Sequence, residues 1–176
     1  MSRKQKVNTI TKVVSNQECS NHRQAMSQLR RIKWEIDFKN HNQSNFYDTI
    51  ESNTISFCIG PAGCGKTYIA TYWALKNLAD KNNNYDGIIV TKPLVEVDGE
   101  KMGYLPGDID EKTEPFMQSV YYNMEQLIGK QRLDVLRAAG IIKVVPLAYM
   151  RGLTLQNKIV MLMKHKTQQH LKLKLF

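Results

Sequence analysis

The sequence predicts an α/β fold built on a parallel sheet, and three observations predict it. Short apolar runs rich in β-branched residues alternate with stretches whose apolar residues recur at helical spacing. One such run, "TISFCIG", ends in a glycine-rich octet that opens onto an amphipathic stretch, the strand, turn and helix order of a phosphate-binding loop. The alternation then continues to the last apolar run, as expected of parallel strands joined by helical crossovers.

Taken in order, the first patterned stretch is "NQECSNHRQAMSQLRRIKWEI", with Met26, Leu29, Ile32 and Ile36 at spacings of three and four. That narrow stripe fits a basic, solvated helix packed lightly on the core, or an arm that touches nucleic acid or a partner. The polar break "DFKNHNQSN" reads as a linker. Residues 1–41 are therefore assigned to a basic N-terminal arm and 42–160 to the main domain. "TISFCIG" reads as a buried parallel strand, and Ile69, Ala70, Trp73, Ala74 and Leu78 then share one helical face until "DKNNNYDG" ends the helix. "IIVTKP" is the second predicted strand. A helix from Pro115, carrying Phe116, Val120, Met124 and Leu127, stops at Gly129. A short helix, the strand "GIIKVVP" and a last strand "KIVML" complete the pattern.

Composition bounds the rest. A chain of 176 residues, 42% hydrophobic and 23% charged, supports one globular core. No apolar run approaches the roughly 20 residues of a membrane span, and "MSRKQKVNTITKVV" lacks a secretory core, so a cytoplasmic protein without a membrane partner is expected. Cys19, Cys58 and Cys64 match neither a disulfide framework nor a zinc motif. The net charge of +9 points toward nucleic acid. It is concentrated at the ends, however: residues 1–40 carry +6 and residues 158–176 carry +5, which leaves −2 between them.

Gly60-Pro61-Ala62-Gly63-Cys64-Gly65-Lys66-Thr67 fits G-x-x-x-x-G-K-[ST]. Glycines let successive backbone N–H groups turn inward onto phosphate oxygens, and the following helix adds its positive N-terminal end. Lys66 is the expected point charge on the β and γ phosphates, and the Thr67 hydroxyl the expected Mg²⁺ ligand. A chance glycine-rich turn would lack the strand before and the helix after. Cys64, at a helix N-terminus, is either a redox-sensitive thiol or a small residue of suitable size.

The loop, together with "TKPLVEVDGEKMGYLPGDIDEKTEPF" and "PLAYMRGLTL", resembles the PhoH family from about Asn42 to Asn157. The resemblance implies a cytosolic ATPase of bacteria or phages, related to superfamily I helicases, with a RecA-like parallel sheet. It also implies ATP and Mg²⁺ as cofactors, RNA or single-stranded nucleic acid as partner and, by analogy alone, a homo-oligomer. Gln43 matches the glutamine with which related helicases read adenine, since an amide can donate and accept at once; the alternative is a linker glutamine. Lys92 stands where the family usually has Arg, which keeps the charge but loses the fork. Arg151 is placed to sense the γ phosphate or a nucleic-acid backbone, or is simply an exposed strand-end arginine. The acids Glu96, Asp98, Glu100, Asp108, Asp110 and Glu111 form a metal site or a solvated loop; the resemblance places them beside the nucleic-acid path.

One family feature is missing. The strand after "RGLTL" should end in Asp-Glu-Ala-Gln-Asn, where the Asp orients Mg²⁺ through its water and the Glu activates the attacking water. This chain reads "MLMKHKTQQ" there. If each codon's third base is read with the first two bases of the next, residues 161 onward permit V-D-E-A-Q-N-T-T at every junction. Met161 to Phe176 are therefore read as the product of a shifted frame, the domain as incomplete at its C-terminus, and hydrolysis as impaired. Three alternatives stay open: a genuine basic tail, a non-catalytic RNA-binding module, and a P-loop kinase for a small acceptor.

Overall fold

The computed structural model describes residues 20–93 and 109–163, with the backbone alone described over 109–116. The elements are α1 (residues 20–29), α2 (His41–Ser52), α3 (Lys66–Ala79), β1 (Gly87–Thr91), α4 (Ile109–Ile128), α5 (Lys130–Ala138), β2 (Ile142–Val144), a 3₁₀ turn (Leu147–Met150) and β3 (Lys158–Leu162). The three strands form one parallel sheet in the order β2-β1-β3, with Ile88 opposite both Ile142 and Ile159. This is the predicted α/β class.

β1 lies in the middle and all five of its residues are buried, as expected of a central parallel strand covered on both faces. Around it Leu75 and Leu78 of α3, Val120 and Met124 of α4 and Leu136 of α5 close one core. α1 joins that core through Ala25, Met26 and Leu29, all buried, so the basic stretch has a packed inner face. α4 begins at Ile109, earlier than the predicted Pro115, and ends at Gly129, whose φ of 80° is a conformation glycine adopts without a side-chain clash.

Two expectations are corrected. "TISFCIG" is not a strand: residues 56–60 carry no ladder, and Ile55, Phe57 and Ile59 face solvent at 73%, 70% and 98% exposure. The apolar pattern is present, but among the described residues the segment forms no ladder and is separated from β3 by a cleft. The predicted linker is partly helical, because α2 starts inside it. Asn40 caps α2, its side-chain oxygen accepting from the Gln43 N–H at 3.1 Å. α2 has no buried residue and is held from the side. Tyr47 packs at 5.5 Å from Phe38 and 6.1 Å from Tyr72, accepts from Lys76 Nζ at 2.7 Å, and the Trp73 indole N–H donates to Glu51.

Candidate functional site

The octet bridges the exposed segment and α3, and its backbone is set by two glycines in the left-handed region. Gly63 has φ 78°, and Gly65, the residue capping α3, has φ 88°. Gly65 is also a point of close approach: a Cβ there would lie 2.8 Å from Gln43 Nε2. No side chain caps α3, so its first-turn N–H groups are presented to whatever sits on the loop.

Lys66 is folded back onto the loop. Its ammonium donates to Gly60 O at 2.9 Å and Pro61 O at 2.5 Å, and to Cys64 Sγ at 3.4 Å. These partners occupy the lysine with the carbonyls of the loop's first turn. Burial raises the Cys58 thiol above its ordinary pKa, with Cys64 adding to the rise and the Lys66 charge opposing it, so this stretch favours the neutral thiol. Cys58, Cys64 and Lys66 thus share one electrostatic neighbourhood.

Gln43 comes against the loop, as its position upstream suggested, but both ends of its amide are engaged. Nε2 donates to Cys64 O at 3.1 Å and the oxygen accepts from Lys39 N–H at 2.9 Å. In this arrangement Gln43 fastens the loop to α2. Lys92 follows β1, and its carbonyl accepts from Leu147 N–H at 3.3 Å. Arg151 follows the 3₁₀ turn and is exposed. Both stand toward the C-terminal end of the strands, but neither lines the two clefts that meet at Lys66 and Thr67. Of the acids between Glu96 and Glu111, the first four lie outside the described residues, and the side chains of Asp110 and Glu111 do also.

The first cleft, about 710 Å³, runs from Gly63, Gly65, Lys66 and Thr67 to a wall of α4 made by Gln118, Ser119, Tyr122 and Asn123. That volume lies in the range of small-ligand sites. The wall was missed at the sequence level, although its signal is present. Residues 118, 119, 122 and 123 are a polar helical stripe opposite the apolar Val120 and Met124. The second cleft, about 540 Å³, lies between residues 54–58 and β3 and is lined by Lys66, Thr67, Trp73, Leu162 and Met163 among others. The end of β3, where the resemblance calls for two carboxylates, therefore stands at the same opening as Lys66 and Thr67 and offers Met161, Leu162 and Met163.

A parallel α/β sheet with a glycine-rich loop opening onto a helix at Lys66-Thr67 defines a P-loop protein. A family model, that of the PhoH-like proteins, matches residues 35–176. The chain belongs to the PhoH-like family, a family of P-loop ATPases. It is 43% identical over 122 residues to a PhoH-like protein of Synechocystis, covering 69% of this chain and 36% of the relative. It is 38% identical over 141 residues to a PhoH-like protein of Bacillus subtilis (80% and 43%), and 37% identical over 140 residues to Protein PhoH of Escherichia coli (78% and 39%). The chain thus spans less than half the length of these relatives. No helix among the described residues is long and apolar enough to cross a membrane.

Proposed function

We propose that this chain binds ATP and Mg²⁺ on the loop Gly60–Thr67, associates with RNA or single-stranded nucleic acid, and hydrolyses ATP very slowly or not at all. The observation that carries the nucleotide reading is the loop itself. Its positive-φ glycines, the uncapped start of α3 and a lysine already bonded to carbonyl oxygens form a donor set suited to phosphate. In that reading Lys66 would turn from Gly60 and Pro61 to the phosphates. The N–H groups entering α3 would donate to phosphate oxygens, the Thr67 hydroxyl would hold the metal, and Gln43 keeps the loop in register with α2. Mg²⁺ supplies charge neutralisation between the phosphates.

Slow or absent hydrolysis follows from the residues at the end of β3. Orienting and activating a water needs acceptors at the end of β3, and the side chains there are methionine and leucine. A thioether or an alkyl group cannot take a proton from water. The nucleic-acid part rests on the basic N-terminal stretch, Arg23, Arg30, Arg31 and Lys33.

Titration with a fluorescent ATP analogue and Mg²⁺ tests the first claim. Saturable binding is expected, weakened about tenfold or more by Lys66→Ala, since the lost contact is charge-assisted. Turnover at about 1 s⁻¹ or faster, lost in Lys66→Ala, would overturn the hydrolysis claim. RNA affinity should fall steeply between low and moderate salt; its absence at low salt removes the partner. The shifted-frame reading of residues 161–176 stands as a proposal too, tested by the bases between the codons of Leu155 and Phe176. Any base that forbids V-D-E-A-Q-N rejects it.

A further inference from the structure

The end of α1 and the corner between α4 and α5 meet around a cavity of about 460 Å³. Gln28 and Arg31 line it from one side, and Lys130, Gln131 and Arg132 from the other. Three cations thus come together, one from the basic N-terminal stretch and two from residues 41–157, which carry a net charge of −2. The fold makes this concentration of charge, for along the chain Arg31 and Lys130 are far apart.

Both walls are held by the core. α1 is seated through Ala25, Met26 and Leu29, and Arg31 N–H donates to Gln28 O at 3.4 Å where the helix ends. On the other wall Ile128 and Leu133 are buried on either side of Gly129. Gly129 N–H donates to Glu125 O at 2.8 Å, and Gly129 O accepts from Leu133 N–H at 3.1 Å. Arg132 Nη1 donates to Ile128 O at 3.0 Å, which fixes the guanidinium plane and leaves the rest of its five N–H donors for another acceptor.

Nothing anionic answers these charges. Among the described residues no carboxylate lines the cavity, and neither Arg31 nor Lys130 has an ion pair, whereas Lys33 is paired with Glu35 at 2.5 Å. Lysines and arginines of a solvated face point apart over a convex surface; here they converge on a concave one, which focuses their field on an anion. The lining also narrows the choice of anion. No aromatic ring is among these residues, so there is nothing for a base to stack on. The apolar side chain that lines the cavity, Ile128, is 2% exposed and offers no anchor to a protein partner. A duplex, whose major groove alone is about 12 Å wide, is too broad for a cavity of this size.

We propose that this pocket holds the phosphate backbone of a single nucleic-acid strand, with Arg31, Lys130 and Arg132 as the groups that contact it. The proposal rests on the nucleic-acid association put forward above and gives it a place. The pocket is separate from the nucleotide cleft: on α4, Asn123 lines the cleft and Ile128 the pocket, roughly 7 Å of helix rise further on. Strand binding can therefore be measured without nucleotide, independently of the ATP reading.

A fluorescein-labelled uridine oligonucleotide of about 20 nucleotides, long enough to span a single-strand site, is titrated by anisotropy over a series of salt concentrations. Wild type is compared with Arg31→Gln/Lys130→Gln and with Lys81→Gln/Lys143→Gln, a pair of exposed lysines outside the pocket that removes the same charge. Each phosphate contact contributes about 0.7 to the salt slope of a single strand, so the pocket variant should lose about 1.4 from the slope and about tenfold or more in affinity near 0.1 M salt. The control should stay within about twofold of wild type, since charges away from the strand are screened. Arg31 and Lys130 are exposed, so the fold should survive their replacement, and a urea melt checks that it does. As a second measurement on the wild-type chain, photocrosslinking of the same strand carrying 4-thiouridine, mapped by mass spectrometry, should mark residues 28–31 and 130–132.

A strand that binds the pocket variant as tightly as wild type overturns the pocket and leaves the nucleic-acid reading to the rest of the basic stretch. Equal losses in the two double variants mean that net charge alone attracts the strand, and overturn it too. Crosslinks confined to other residues do the same. No binding by wild type at low salt removes the nucleic-acid partner itself, and this occupant of the pocket with it.

Discussion

β1 and the segment from Thr54 to Gly60 are close in composition and opposite in circumstance. Both are short, apolar, β-branched runs that meet a turn at their C-terminal end. β1 has a ladder on each side, α3 against it and every residue buried; the other run has no ladder and three large apolar side chains in water. Sequence pattern states that a run can pair, and neighbours decide whether it does. Backbone N–H and C=O groups must find partners, and only one of the two runs lies between strands.

The largest expected effect breaks or confirms that contrast directly. Leu75→Ala, in the fully buried layer of α3, should lower stability by about 2–5 kcal/mol through lost transfer energy and the cavity left behind. Phe57→Ser, at 70% exposure, should cost less than about 0.5 kcal/mol. Urea melts of both variants without nucleotide give the comparison. A Phe57→Ser cost matching that of the core deletion would mean that the segment already belongs to the sheet in solution.

A smaller effect separates two glycines of the loop. Gly63→Ala and Gly65→Ala each place a Cβ on a left-handed residue, at a cost of about 1–2 kcal/mol. Around Gly63 there is open space, whereas at Gly65 the new carbon meets Gln43 Nε2. Gly65→Ala should therefore be the more damaging, and adding Gln43→Ala should recover part of the difference, a coupling readable in a double-mutant cycle. Additive effects would show that Gln43 does not fasten the loop.

Much of this was legible in the chain. The three strands of the sheet, α3 and the end of α4 follow from apolar periodicity and from turn residues such as Gly129, because their side chains and their burial obey the same rule. The turn of the octet is legible because its left-handed positions, Gly63 and Gly65, suit glycine. α2 was not, for it buries no residue and is held by a cap and aromatic edges that leave no stripe. The α4 wall was legible only in retrospect, as its polar stripe gains meaning once α3 places Lys66 and Thr67 opposite. The exposure of the segment before the loop lies beyond pattern altogether, since pattern records what a run can pair with and not which neighbours it meets.

The smallest effect concerns how α2 is held on α3, and so how Gln43 is held to the loop. Lys76 has its pKa raised, first by its hydrogen bond to Tyr47 and against the opposing pull of burial. A folded-state pKa above the unfolded value means that the contact stabilises fully below about 10.5, the ordinary lysine value, and that this support is lost as pH rises through the higher folded value. The group is largely solvated, so the contribution is small, below about 1 kcal/mol. Tyr47→Phe keeps the ring against Tyr72 and removes only the oxygen. Its stability deficit should be constant from neutral pH to about 10 and shrink above that, as the wild type loses the same bond. A deficit unchanged up to pH 12 would assign the role of Tyr47 to its ring, leaving α2 attached by aromatic packing alone.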